Sequence, residues 1–129
     1  MRTLVRAAHA VEDRWEAALA QVELSGPKFI ALTVLIEAGA PLSLGELAAK
    51  LTCVRSNITQ LVDRLEADRL VRRVDDPTDR RGKRAEVTPL GMQRQAAGER
   101  RVQKTLKDLD KILAGHDHAE IERMLNALL

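Results

Sequence analysis

Apolar residues repeat with helical spacing along most of the chain. From Leu4 to Val22 they fall three and four residues apart, which predicts an amphipathic helix of about five turns. Ser25 is suited to cap a second helix, and Gly39 is suited to end it. This second helix is apolar on all sides, so we expect it to be buried.

Two short helices are predicted next. Ser43 and Glu46 have the spacing of a capping box, which begins a helix through Leu51. After a break at 52–54, a fourth helix is predicted from about Arg55 to Asp68. Its inner stripe consists of Ile58, Leu61, Val62 and Leu65.

The period then changes to that of strands. Residues 70–74 and 83–88 are short and strand-like, and the segment 75–82 between them is rich in turn formers. We expect a two-stranded hairpin with a long polar tip. Thr88 and Pro89 predict the start of a long helix to about Ala114, and a last helix is predicted from near Asp117.

Length and composition limit the type of protein. The 129 residues suffice for one domain, 1–129, and 45% apolar with 31% charged residues is typical of a folded globular chain. Because no apolar segment resembles a membrane span or a secretion signal, we expect a cytoplasmic protein without membrane contact. Aromatic residues make up 2%, too few for a protein that stacks single-stranded bases.

Positive charge is concentrated in one place. Residues 69–84 contain seven basic and three acidic residues, a local charge of +4, whereas the whole chain has a net charge of +2. Such a segment indicates either a polyanion contacted at one place or a solvated charged loop, and charge alone does not decide between them.

Two short helices followed by a basic hairpin are typical of a winged helix-turn-helix. The predicted fold class is therefore mainly α with a small β-hairpin wing. The first turns of the fourth helix would face base edges in a major groove. An exposed polar helix face would look the same, but the adjacent arginine-rich hairpin favours DNA. The candidate DNA-binding residues on this helix are Arg55, Ser56, Asn57, Thr59, Gln60 and Arg64.

Residues 42–91 resemble the core of the MarR (multiple antibiotic resistance regulator) family of bacterial transcription factors. Three motifs carry the resemblance: Asn57-Ile58-Thr59 with Leu61-Val62 and Leu65-Glu66, Asp76-Pro77 with Asp79-Arg80-Arg81, and Val87-Thr88 with Gly91. The segment from Leu24 to Leu35 also fits the family's second helix.

The resemblance implies a homodimeric regulator, more often a repressor than an activator. It implies that 25–90 form the DNA-binding core, that 1–23 and 91–129 form dimerisation helices, and that the dimer binds a pseudopalindromic duplex. It also implies a DNA affinity that responds to a small molecule, an oxidant or a metal.

The resemblance also assigns roles within the wing. Arg81, or its neighbour Arg80, corresponds to the arginine that enters the minor groove, and Lys83 adds charge to the same tip. Asp79 corresponds to the acidic residue that orients this arginine. The alternative for Asp79 is that it stabilises the turn.

Two positions depart from the family pattern. Arg69 replaces a glycine that usually ends the recognition helix, so it must adopt a left-handed conformation or the helix must end differently. Val54 replaces an N-capping residue, which leaves that task to Thr52 or to the region of Arg55 and Ser56.

The apolar seams of the terminal helices independently favour a dimer. They run from Leu4 to Val22, from Val102 to Leu113 and from Ile121 to Leu129, more than a core of 25–90 could cover. Packing within one chain is the alternative.

Three candidates for sensing are visible, each with a simpler alternative that we favour. Trp15 and Phe29, with His9 or Arg14 as a polar anchor, would line a pocket for a small-molecule effector, or else the two rings pack in the core. Cys53 would sense oxidants, or it is a buried thiol. The segment 116–118 would bind metal with Glu120 and Glu122, or Asp117 caps a helix there. We expect no metal site and no cofactor.

Two other classes of function receive less support. A winged helix used only for protein–protein contact, without specific DNA binding, needs apolar or mixed residues at its tip, whereas residues 79–83 are mostly charged. An enzyme needs a catalytic constellation, and the sequence contains neither a Ser-His-Asp set nor a glycine-rich phosphate loop. We therefore expect no enzymatic activity.

Overall fold

The structure, a computed structural model, describes residues 1–52 and 55–129. Within these residues the chain forms six helices and three strands. The helices are α1 (Arg2–Ala20), α2 (Gly26–Ala38), α3 (Leu44–Leu51), α4 (Arg55–Ala67), α5 (Pro89–Ile112) and α6 (His118–Asn126). The strands are β1 (Leu42–Ser43), β2 (Val71–Asp75) and β3 (Lys83–Val87). The predicted winged helix-turn-helix architecture is confirmed.

Capping residues begin these helices where the sequence predicts. The Ser25 hydroxyl accepts a hydrogen bond from the Lys28 N–H at the start of α2. Ser43 and Glu46 form the complete capping box of α3. Thr88 and Asp117 cap α5 and α6 in the same way. Side-chain acceptors at these positions satisfy backbone N–H groups that have no partner inside the helix.

The sheet differs from the predicted two-stranded hairpin. A third strand, β1, pairs with β3 in an antiparallel register that joins Leu42 to Ala85 and Ser43 to Arg84, so the strand order is β1-β3-β2. Proline disfavours the helical region for the residue before it, here Ala40, which favours an extended chain leading into β1. This short segment lies beside β3 and pairs part of an edge that would otherwise be exposed.

The core lies between α2, α3, α4 and the base of the sheet. Leu32, Leu47, Ile58, Leu65 and Leu70 are fully buried there. The helix α5 approaches this core closely, because a Cβ at Gly91 would lie 2.1 Å from the carbonyl oxygen of Leu70. Glycine at this position therefore lets α5 start against the turn between α4 and β2, which explains one motif of the family resemblance.

Arg69 adopts the left-handed conformation, with φ of 61°. The N–H of Leu70 bonds to the Leu65 carbonyl, and the N–H of Arg69 bonds to the Glu66 carbonyl. These two bonds form a Schellman motif, in which the left-handed position is usually glycine. The helix therefore ends as it would with glycine, and the first of the two options predicted for Arg69 is the one observed.

The C-terminal helix contributes little to the core. None of the residues of α6 is buried. Its side chains Met124 and Leu125 are 64% and 45% exposed, and Leu128, just beyond its end, is 63% exposed. Among the helices of the described ranges, none has both the length and the apolar character that a bilayer crossing requires.

Candidate nucleic-acid interface

Helix α4 divides its side chains between the core and solvent. Ile58 and Val62 are fully buried. Asn57, Gln60 and Arg64 are exposed on the opposite side, and Asn57 and Gln60 lie in the first two turns. Helical periodicity explains this division. When the apolar side of α4 packs on the core, its polar side faces solvent.

Some predicted features at the start of α4 lie outside what the structure describes. Cys53 and Val54, and with them the predicted thiol and the N-cap position of α4, lie outside the described residues. The side chains of Arg55 and Ser56 are likewise outside the described part. Thr52 ends α3 in a left-handed conformation with φ of 53°.

The tip of the wing is a compact loop of residues 76–82. The Asp76 N–H donates to the Gly82 carbonyl at 3.0 Å, and the Gly82 N–H donates to the Asp79 carbonyl at 3.0 Å. A Cβ at Gly82 would lie 3.1 Å from the Cβ of Asp76 and 3.2 Å from that of Asp79. The lack of a side chain at Gly82 thus allows the tip to close tightly.

Asp79 contacts the backbone of its neighbour. Its Oδ1 accepts a hydrogen bond from the Arg81 N–H at 3.0 Å, which is the geometry of an Asx turn. Arg80 and Arg81 both lie exposed at the tip. This contact is the one expected from a turn-stabilising aspartate, and it places Arg81 through the main chain.

An open groove of about 910 Å³ lies between α3, α4 and the wing. It brings together Thr59 of α4 and Arg81 and Lys83 of the wing, three of the predicted DNA-binding residues. Asp76 and Asp79 also line it. The predicted helix and the predicted wing therefore border the same depression.

Arg73 on β2 joins the wing to α4, a role that sequence reasoning missed. Its guanidinium contacts Glu66 at 2.8 Å and Asp63 at 2.5 Å, and its N–H donates to Glu66 at 3.1 Å. Burial lowers the pKa of Arg73, but the hydrogen bonds to Asp63 and Glu66 outweigh burial and leave the pKa raised. The spacing of seven residues between Glu66 and Arg73 could have suggested the pair, but only once the turn after α4 is known.

The structure brings together only two of the four predicted effector residues, Trp15 and Phe29. The rings of Trp15 and Phe29 meet edge to face, with centroids 6.5 Å apart. Phe29 is buried, whereas Trp15 lines a cleft of about 530 Å³ together with Ile30, Leu61 and three carboxylate residues of α1. His9 and Arg14 are exposed and do not line this cleft.

The histidine segment before α6 has a structural role. Asp117 accepts a hydrogen bond from the Glu120 N–H at 3.1 Å and so caps the helix. Across 1–52 and 55–129, no group of three or more His, Cys, Asp or Glu side chains is arranged to hold a metal ion.

Comparison with known proteins identifies relatives of the chain. Residues 23–82 match the model of the MarR family. The chain is 34% identical over 90 residues to the uncharacterised HTH-type transcriptional regulator YsmB of Bacillus subtilis (strain 168). This match covers 70% of the present chain and 61% of YsmB, so the chain spans less than two thirds of that relative's length.

Two solved structures extend the comparison over nearly the whole chain. The repressor CouR, solved bound to a 23-mer DNA duplex, is 27% identical with a TM-score of 0.82, and the match covers 98% of this chain and 89% of CouR. A MarR family protein from Bacillus stearothermophilus is 32% identical with a TM-score of 0.71, and the match covers 98% of this chain and 88% of that protein. On this similarity, together with the winged helix and its motifs, the chain belongs to the MarR family.

Proposed function

We propose that this protein is a transcriptional regulator that binds double-stranded DNA sequence-specifically. The observation that carries the proposal is the groove between α3, α4 and the wing, where Thr59 lies with Arg81 and Lys83. In this proposal the exposed face of α4 enters a major groove, and Asn57 and Gln60 read base edges. The wing tip reaches the neighbouring minor groove, where a narrow groove attracts a guanidinium.

The full set of DNA-binding residues in this proposal is the predicted one. It consists of Arg55, Ser56, Asn57, Thr59, Gln60, Arg64, Arg80, Arg81 and Lys83. Asp79 positions the tip through its bond to the Arg81 N–H. The structure of CouR on a DNA duplex supports this use of the fold.

The proposed functional unit is a homodimer that acts as a repressor in the cytoplasm and has no enzymatic activity. Residues 25–90 serve as the DNA-binding core, and 1–23 and 91–129 serve as dimerisation helices. The exposed apolar side chains of α6 support this division. Two copies related by a two-fold axis would place the recognition helices about 34 Å apart, one turn of DNA.

A small-molecule effector is part of the proposal, and we place it in the cleft lined by Trp15. A molecule bound there would touch α1 as well as Leu61 on α4. It would therefore bias the position of the recognition helix relative to the terminal helices.

Selection from a random duplex library tests the proposed function. The full chain should enrich an inverted repeat whose half-sites are centred about 10 base pairs apart.

Two substitutions test the roles of the wing and of α4. Arg81→Ala should weaken binding and reduce its salt dependence by about one released counterion. Asn57→Ala should change base preference more than non-specific affinity. Arg72→Ala, at an exposed position of β2 outside the proposed set, is the control for loss of one positive charge. Failure to enrich any sequence over random duplex would refute the proposal.

A further inference from the structure

Arg84 on β3 contacts three other parts of the winged helix: the segment before β1, the first turn of α3 and the wing tip. Its Nη1 donates to Glu46 Oε2 at 3.1 Å and to the Pro41 carbonyl oxygen at 3.3 Å. Its Nε lies 3.1 Å from Asp76 Oδ2. This Nε is buried and its N–H is not aligned for a hydrogen bond, so the contact with Asp76 is an ion pair.

Both carboxylates are already fixed by other bonds. Glu46 Oε2 also accepts the Ser43 N–H at 2.9 Å, which is half of the capping box of α3. Asp76 Oδ1 accepts the N–H and the hydroxyl of Thr78 at 2.9 and 2.8 Å. The Asp76 side chain is only 10% exposed. Arg84 therefore bridges two preorganised groups, one at the start of α3 and one at the base of the wing tip.

This bridge connects the wing tip to the recognition helix by a route other than the sheet. Asp76 closes the tip loop through its N–H bond to Gly82, and that loop carries Arg80 and Arg81. The helix α3, whose first turn holds Glu46, packs against α4. Any displacement of the tip relative to α3 must therefore break contacts of Arg84.

We propose that Arg84 is a positioning residue that, by bridging Glu46 and Asp76, fixes the wing-tip arginines relative to α4 and so sharpens the choice of DNA. The proposal rests on the proposed DNA-binding function. A guanidinium suits the task, because it offers donors in a rigid plane to several acceptors at once. Arg84 itself need not touch DNA.

Arg72 provides a matched control on the same face of the sheet. It lies opposite Glu86, two residue pairs along the ladder from the Val74–Arg84 pair, and its Nε contacts Glu86 Oε2 at 2.5 Å. The Arg72 side chain is 67% exposed, and its partner lies on the adjacent strand. Loss of this arginine removes the same charge from the same surface without releasing the tip from α3.

The first measurement is amide hydrogen exchange of the free protein at residues 76–82. The N–H groups of Asp76, Thr78, Arg81 and Gly82 are hydrogen-bonded, so their exchange reports opening of the tip. Arg84→Met should accelerate exchange there, and Arg72→Met should leave it near that of the unmodified chain. Asp76→Asn, which weakens the bridge from its other end, should reproduce the effect of Arg84→Met.

The second measurement is affinity for the duplex selected by the unmodified chain and for a scrambled duplex of the same composition. Arg84→Met should bind the selected duplex roughly three- to tenfold more weakly and lose base preference at the outer positions, which the wing would reach. Arg84→Lys should recover part of the loss. In a Glu46→Gln/Asp76→Asn background, Arg84→Met should have little further effect.

The outcomes separate the two proposals. If the unmodified chain selects no sequence, the proposed function fails, while the exchange comparison still decides whether Arg84 holds the tip. If Arg84→Met and Arg72→Met are alike in exchange and in base preference, the positioning role is refuted. An equal loss on both duplexes, with preference unchanged, would also refute it, because Arg84 would then act only through charge.

Discussion

At the scale of single residues, two arginines illustrate what sequence spacing does and does not reveal. The backbone conformation of Arg69 could be predicted as one of two options, because a helix that lacks the usual glycine at this position can end in only a few ways. Arg84 is not readable, because its partners Glu46 and Asp76 are 38 and 8 residues away and meet it only when the sheet forms. Side-chain networks between distant segments therefore need the fold before they can be seen.

The left-handed conformation of Arg69 predicts a stabilising substitution. The side chain of Arg69 is exposed, and its backbone φ of 61° is one that glycine adopts without a Cβ penalty. Arg69→Gly should raise the free energy of unfolding by about 0.5–1 kcal/mol, as measured by denaturant titration. Arg69→Ala is the control, since it removes the same side chain but keeps the Cβ. A glycine variant no more stable than the alanine variant would contradict this account.

At the scale of elements, local signals predicted the helices well and pairing between strands poorly. The start of α3 was predictable because Ser43 and Glu46 satisfy the first turn within four residues. The strand β1 was not, because two residues carry no usable alternation and their partner lies more than 40 residues away. The sequence offered a turn-stabilising role for Asp79 as one of two alternatives. The role of Asp76 could not be predicted, because its bonds to Gly82 and Thr78 form only when the tip loop closes.

The carboxylates at the start of α3 and in the wing predict a stability that depends on pH. The backbone hydrogen bond from Ser43 lowers the pKa of Glu46 from its ordinary value of 4.5, and Arg84 adds to this effect. The backbone hydrogen bond from Thr78 similarly lowers the pKa of Asp76 from 3.8. Since the unfolded chain takes up these protons at higher pH than the folded one, their contribution is complete above about pH 5 and is lost as the pH falls through the lowered values.

Thermal unfolding between pH 6 and pH 3 tests this dependence. Glu46→Gln should lower the melting temperature at pH 6 and flatten the decrease toward pH 3, because one of the linked protons is gone. Glu37→Gln, at an exposed position of α2, should keep the slope of the unmodified chain. If the melting temperatures of the unmodified chain and of Glu46→Gln fall in parallel with pH, the Glu46 carboxylate does not contribute to the pH dependence of stability.

At the scale of the whole molecule, the apolar surface is concentrated on the helices outside the winged core. Ile112 on α5 is 60% exposed, and Met124 on α6 and Leu128 just after it are 64% and 63% exposed. Soluble proteins rarely leave adjoining apolar side chains of this size in water. A second copy of the chain covers them in the proposed dimer, which also pairs the two winged helices on one duplex.

Substitution on α6 tests this assembly. Leu125→Asp should weaken the proposed dimer roughly hundredfold, because a symmetric interface contains the substitution twice and each buried leucine contributes about 1.5 kcal/mol or more. Sedimentation equilibrium measures the change, and Asn126→Asp is the control that adds charge at an already polar position of the same helix. Because each monomer would retain an intact winged helix, Leu125→Asp should still bind a single half-site weakly and should lose the preference for the inverted repeat. If Leu125→Asp dimerises with the same dissociation constant as the unmodified chain, the interface lies elsewhere on the chain.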